Sequence, residues 1–351
     1  MEKDNFFAGR RAFIRSKASG GIARLRRTWK TQASRRVVSE LLVAAADPLH
    51  EGYLNPTIVT PALVRDIVNQ AADHGVLPIV AYKAKQGFVS VENLLGDEAR
   101  NELRVSAAFS MMLRQHARSL LEQLQDLPVA LVKGETFARL LYPSPALRPF
   151  TDIDLLVAPS AIEAVSDVLA RNEYFLGEDP AASGRREWKW VHKTNPRIMV
   201  ELHTNLVHAP SLQNAMSFDY ERLQRHGPEH PVTLLAIAVI HGALHRFERL
   251  RHVVDVCQAA RKLDRSDDKH FRALMIESHS CLAASTALRL AYRFFGEARC
   301  EEICASLGPV RYAWISQQLL GPPVVLSMMN EARYTHSWRR QVFRELLKRA
   351  T

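Results

Sequence analysis

Apolar side chains recur along this chain with two periods. From Val37 to Ala46, and again from Glu92 to Gln125, they return every three or four residues, the period of an amphipathic helix. The second stretch places Leu103, Val105, Phe109, Met112, Leu113, Leu120, Leu121 and Leu124 on this spacing and predicts one long helix or a pair. Thr60-Pro61 offers an N-cap followed by proline at the first helical position, opening a helix through Ala72 that His74-Gly75 ends. The texture then changes. Pro128 to Val132 is a short apolar run with valines, a buried strand that Lys133-Gly134 terminates. Glu135 to Tyr142 reads as a short helix, and Pro143, Pro145 and Pro149 make a loop. Asp152 to Val157 is a second strand and Ala161 to Asn172 a helix. Trp188 to Lys193 and Arg197 to His203 read as strands around the turn Thr194-Asn195-Pro196. From Pro231 the pattern is helical again, over Thr233 to His245, Leu250 to Lys262, His270 to Phe295 and Ser337 to Lys348. The expected fold is α+β, a small mixed-sheet core over 127–225 flanked by helical regions at 37–126 and 226–351, with a flexible basic arm at 1–36.

A length of 351 residues suits two or three such regions, and a hydrophobic fraction of 47% with 24% charged residues is ordinary for a globular chain. The net charge of +10 suggests nucleic acid until it is located. Residues 1–36 hold eleven Lys or Arg and two acids, a net +9, and the remaining 36 basic and 35 acidic side chains leave the body at +1. The arm is therefore either a solvated tail or an electrostatic handle for nucleic acid or anionic lipid. The apolar run Leu234 to Ile240 is stopped by His241, too short for a membrane span. The four cysteines, Cys257, Cys281, Cys300 and Cys304, form no C-x-x-C pair, and reduced core thiols in a cytoplasmic protein are expected. No apolar segment of signal-peptide length opens the chain.

The sharpest chemical feature is Asp152-Ile153-Asp154 at the start of an apolar strand. Side chains two apart on a strand share a face, with Cα atoms roughly 6–7 Å apart. Two carboxylates there repel unless a cation sits between them, and Mg²⁺ prefers such oxygen ligands. Upstream, Lys133-Gly134 forms a strand-to-helix turn, and a glycine there lets backbone N–H groups approach a phosphate. Downstream, Glu201 and His203 lie two apart on a strand that can run beside the Asp-x-Asp strand, making Glu201 a third carboxylate. Three carboxylates, a glycine turn and a basic residue are the parts of a two-metal nucleotidyl-transfer site. His203 could bind phosphate, act as an acid or pack structurally. His241 and His245, four apart on a helix with Asp255 downstream, make a poor zinc motif and read as structural or substrate-side. Trp188 and Trp190 read as sheet core.

The order strand–Gly–helix–Asp-x-Asp–strand–acid resembles the DNA polymerase β-type nucleotidyltransferase superfamily. More closely, Leu131 to Thr136 (LVKGET), Leu147 to Val157 (LRPFTDIDLLV) and Val200 to His203 (VELH) resemble a bacterial family of uncharacterised nucleotidyltransferases. The lead-in Ala71 to Pro78, the helix with His241 to His245 and the segment Arg251 to Asp255 match that family's pattern too, so the likeness runs over about 40–260. It implies a Mg²⁺ site, with Mn²⁺ as a substitute, formed by Asp152, Asp154 and Glu201. In that reading Glu201 is a ligand or the base for the acceptor hydroxyl. Gly134 would shape the phosphate turn, with Lys133 and Arg148 neutralising triphosphate charge. The chain departs from the superfamily in having Glu135 after the glycine and Glu rather than Asp as the third acid.

The resemblance implies transfer of a nucleoside monophosphate from an NTP to an acceptor, with release of pyrophosphate. A small molecule, a peptide or protein, and RNA are open as acceptors. Two other readings compete. One is a catalytically inactive binding or regulatory module on the same fold, favoured by Glu135. The other is a helical nucleic-acid-binding protein, which rests on the arm alone.

Overall fold

A computed structural model describes residues 32–50, 60–86, 96–178, 187–327 and 336–350. Most of the basic arm and the first residues of the predicted Glu92–Gln125 helix lie outside them. The segment expected as arm already turns helical at its end, because helix α1 spans Gln32–Ala46. Helix α2 (Pro61–Asp73) starts as predicted: Thr60 Oγ1 accepts the Leu63 N–H and Pro61 occupies the first turn. Gly75 then takes φ +69°, where a side chain would be strained, and α3 (Leu77–Lys85) follows. The long amphipathic stretch is one helix, α4 (Asp97–Gln123).

Five strands form one mixed sheet: β1 (Val129–Val132), β2 (Ile153–Val157), β3 (Tyr174–Glu178), β4 (Glu187–His192) and β5 (Met199–His203), in the order β1-β2-β5-β4-β3. Only β2 and β5 run parallel. Helix α5 (Gly134–Leu140) follows β1, and α6 (Ile162–Arg171) follows β2.

The strand period of two divides the sheet's chemistry between its faces. On one face Ile153, Leu155, Val157, Val200, Leu202 and Trp190 pack with Leu113, Ala117 and Leu120 of α4 and Val165, Val168 and Leu169 of α6. The other face is apolar toward β1, where Ala130, Val132 and Leu156 enter the larger helical core. Toward β5 and β4 the same face turns ionisable, with Asp154, Glu201, His203, Lys189 and Glu187 in neighbouring register positions. Each large apolar side chain buried in these cores contributes about 1.5–3 kcal/mol, so the ionisable half must be compensated by its own pairs or by a ligand.

The larger core joins the N-terminal helices to the C-terminal ones. Its centre is α7 (Pro231–Leu244), apolar on every side, with Val232 to Ile240 all buried. Helix α8 (Leu250–Lys262) packs on it, and α9 (Asp268–Glu277), α10 (Cys281–Phe295), α11 (Ala298–Ser306) and α12 (Ser337–Arg349) complete the layer. The single helix predicted over His270–Phe295 is broken in two. Ser278 and Ser280 hydroxyls bond nearby carbonyls, and His279 between them takes φ +54°, the local competition that ends helices at serines. The four cysteines are free and, apart from the half-buried Cys281, buried. No helix among the described residues is long and apolar enough to cross a membrane.

Candidate active site

The acidic row predicted from sequence exists, because β2 and β5 pair in parallel with Asp154 opposite Glu201. Asp152 sits one residue ahead of β2, where Thr151 Oγ1 donates to its Oδ2 at 3.3 Å. Asp152, Asp154 and Glu201 all line a pocket of about 740 Å³ between the sheet and the helices α7 and α8.

Asp154 is buried, which alone would raise its carboxyl. Lys133 Nζ at 2.6 Å and His203 Nε2 at 3.0 Å outweigh that and hold it well below the ordinary carboxylate range. Glu201 goes the other way. Burial, and then the negative charges of Asp152, Asp154 and Glu187, push it up to about 8. Two carboxylates in adjacent register with opposite shifts are a site short of positive charge. His203 is fully buried, and its Nδ1 has no hydrogen-bond partner. Its Nε2 meets Asp154, and it does not line the pocket.

The turn at Lys133-Gly134 differs from expectation in its strain. Lys133, not the glycine, takes φ +58°. A non-glycine residue there costs on the order of 1–3 kcal/mol, and the conformation sets the Lys133 ammonium against Asp154. Gly134 matters for closeness: a Cβ on it would stand 3.3 Å from the Phe150 ring and 3.5 Å from the Asp152 carbonyl oxygen. Glu135 points away from the pocket to Arg114 at 3.5 Å and Arg139 at 3.6 Å.

Arg148, expected to face triphosphate, is committed elsewhere. Its Nε and Nη2 donate to the two oxygens of Asp255 at 3.0 and 2.9 Å, and Tyr142 Oη donates to the same carboxylate at 2.7 Å. The guanidinium also lies over the Phe137 ring. Arg148 still lines the pocket, but its charge is balanced by Asp255. The match of Arg251 to Asp255 with the family pattern is thereby explained in part, since that aspartate anchors the arginine ahead of the Asp-x-Asp strand.

His74 is another residue whose importance the sequence did not state. Its Nδ1 accepts the Leu250 N–H at 3.3 Å, its carbonyl accepts the Arg251 N–H at 3.2 Å, and its Nε2 bonds the Leu326 carbonyl at 3.4 Å. The end of α2 thereby fixes the start of α8 and the pocket wall it carries. Glu187 and His208, also unforeseen, continue the ionisable row, with His208 Nδ1 at 3.5 Å from Glu187.

The residues fit a divalent cation. Ligand atoms of Asp154, Glu201 and His203 all lie within 4.8 Å of one another, and Glu187, His203 and His208 form a second such group. Oxygens around Mg²⁺ at about 2.1 Å stand roughly 3 or 4 Å apart, so small side-chain movements close the carboxylates on an ion. With Nε2 already on Asp154, His203 is placed to orient that ligand.

A family model for uncharacterised nucleotidyltransferases matches residues 61–296, spanning α2, the whole sheet, all of the pocket lining but Arg344 and most of the helical layer. No curated protein and no solved structure matches the chain. The matched span contains every residue of the acidic row, so the site and the family coincide: the chain belongs to the uncharacterised nucleotidyltransferase family.

Proposed function

We propose that this protein transfers a nucleoside monophosphate from an NTP to a hydroxyl- or phosphate-bearing acceptor and releases pyrophosphate. The observation that carries the reading is the acidic row itself: Asp152, Asp154 and Glu201 converge at one end of a pocket large enough for a nucleotide. These three carboxylates would hold Mg²⁺, or Mn²⁺ in its place. When bound, the metal polarises the phosphates and stabilises charge on the departing pyrophosphate.

The chain's own groups do the rest. Asp154 is kept ionised by Lys133 and His203. Glu201, raised toward neutrality when alone, would be ionised by a cation in the row, and its carboxylate would then take the proton from the acceptor hydroxyl as the hydroxyl oxygen bonds the α-phosphorus and the pyrophosphate bond breaks. Lys133 lines the pocket between the row and the helices, so its ammonium can exchange Asp154 for a phosphate oxygen. Gly134 lets the turn pack close beneath Phe150.

The inactive-module reading rested on Glu135, and that side chain is held away from the pocket by two arginines. The nucleic-acid reading rested on the arm, which lies largely outside the described residues. The test is label transfer from each α-labelled NTP with Mg²⁺ to fractionated small-molecule, protein and RNA pools. The expected result is labelled product and pyrophosphate with the wild type and none with Asp152→Asn/Asp154→Asn. Equal labelling by both proteins would overturn the proposal.

A further inference from the structure

The pocket's two walls carry opposite chemistry. The acids stand on the sheet. Facing them, the end of α7, the loop after it and the start of α8 present His241, His245, Arg249, Arg251 and His252. The three imidazoles form a triangle, with ring centroids 4.6, 5.3 and 5.2 Å apart. Their nitrogens do not converge as metal ligands would, since among the described residues no cation-sized group includes them.

Two acids near this wall are paired with other residues. Asp255 receives Arg148 and Tyr142, and Glu248 is paired with Arg246. Arg251 reaches the Pro149 carbonyl at 3.5 Å, and its Nε has no hydrogen-bond partner. His252 is only 4% exposed, and its Nδ1 is likewise buried without a partner. A buried polar atom left unpaired is costly, and the Arg148 guanidinium repels that of Arg251. Burial, together with the surrounding cations, holds His241 and His252 in the neutral form. A neutral imidazole still offers one N–H donor. The unpartnered Arg251 Nε and His252 Nδ1 beside a cavity are what an anion would satisfy.

We propose that this helical wall is a subsite for a phosphate-type oxyanion, bound by Arg251 with His241, His245 and His252 and distinct from the metal-binding carboxylates. Its role in catalysis rests on the nucleotidyl-transfer reading: the oxyanion is either the terminal phosphates of the donor or a phosphate on the acceptor. Binding of the oxyanion itself does not depend on that reading.

The test is calorimetric titration of the full chain with inorganic pyrophosphate and with inorganic phosphate, in EDTA so that no metal contributes. The expected result is binding by the wild type, weakened at least tenfold in Arg251→Gln and in His245→Gln, and retained or tightened in Asp152→Asn/Asp154→Asn. His245 is exposed to the cavity, so its variant keeps the test valid if Arg251→Gln, which also touches Gly75 and Pro149, fails to fold. No metal-free binding, or equal binding by wild type and both wall variants, overturns the subsite. A second titration with Mg²⁺-NTP assigns the source. A loss of NTP affinity in the wall variants places the donor's phosphates there. Unchanged NTP affinity, with inorganic phosphate still binding the NTP-loaded wild type, places the acceptor's phosphate there. Failure of nucleotidyl transfer would show separately, as absent Mg²⁺-dependent NTP binding.

Discussion

Single side chains decide whether the acidic row can hold a cation. His203 touches Asp154 and no solvent, so it positions a ligand rather than meeting substrate. Replacing a partner of this kind typically costs 10–100-fold in metal affinity. His203→Gln should therefore weaken Mg²⁺ or Mn²⁺ binding by about that factor with the far-ultraviolet circular dichroism unchanged, and unaltered affinity in titrations of the variant would contradict the positioning role. Arg148 and Asp255 make a buried pair whose breaking is expected to cost about 3–5 kcal/mol. Arg148→Ala should lower the urea midpoint accordingly, and a variant as stable as wild type would show the pair to be dispensable. The carboxylates were legible from sequence because Asp-x-Asp and Glu-x-His follow a strand's period of two. The partners of Lys133 and Arg148 were not, because a charge pairs through the tertiary fold. Asp255 lies 107 residues beyond Arg148, and no local pattern announces that contact.

Whole elements were read well where the period was long and the caps were explicit. Thr60-Pro61 and the valine-rich β1 follow from local chemistry, and the period that allowed one long helix or a pair is filled by the single α4. Strand β3 was missed because Tyr174–Glu178 gains its stability by pairing with β4, and the α9–α10 break was missed because serine's bonds to backbone override periodicity. The junction of α2 with α8 makes a pH prediction. Burial lowers His74 to about 4 from an ordinary 6.5, and the cations Arg249 and Arg340 push the same way. The Nδ1 that accepts the Leu250 N–H must stay unprotonated. Between pH 6.5 and 4 the unfolded chain thus binds a proton that the folded chain refuses. The stability His74 contributes is complete above 6.5 and is lost as pH falls through that window. Chemical denaturation across pH 4–7 should show a shallower slope for His74→Gln than for wild type, and equal slopes would remove His74 from the account. Packing at α7 makes another prediction. A Cβ on Gly242 would stand 2.5 Å from the Phe247 ring, so Gly242→Ala should destabilise by about 1–3 kcal/mol, read as a lowered denaturation midpoint.

At the scale of the molecule, the basic arm and the pocket are separated along the chain. Residues 1–31 hold nine basic and two acidic side chains, a net +7 of the total +10. Their removal should shift elution from a heparin column to much lower salt and leave the NTP response of the pocket unchanged. An NTP response lost with the arm would place the arm in the site. The N-terminal helices α1 to α3 and the C-terminal helices share one core, so the pocket wall formed by α7 and α8 is held by the same packing that buries α1 and α2. The most direct test of the central claim is a thermal-shift comparison of ATP, GTP, CTP and UTP, each with and without Mg²⁺, on wild type and Asp152→Asn/Asp154→Asn. A ligand at 100 times its dissociation constant adds about 2.7 kcal/mol, a shift of several degrees. A Mg²⁺-dependent rise with at least one triphosphate, absent in the double variant, is expected. Triphosphate stabilisation of equal size in both proteins, or none in a folded wild type, would contradict it.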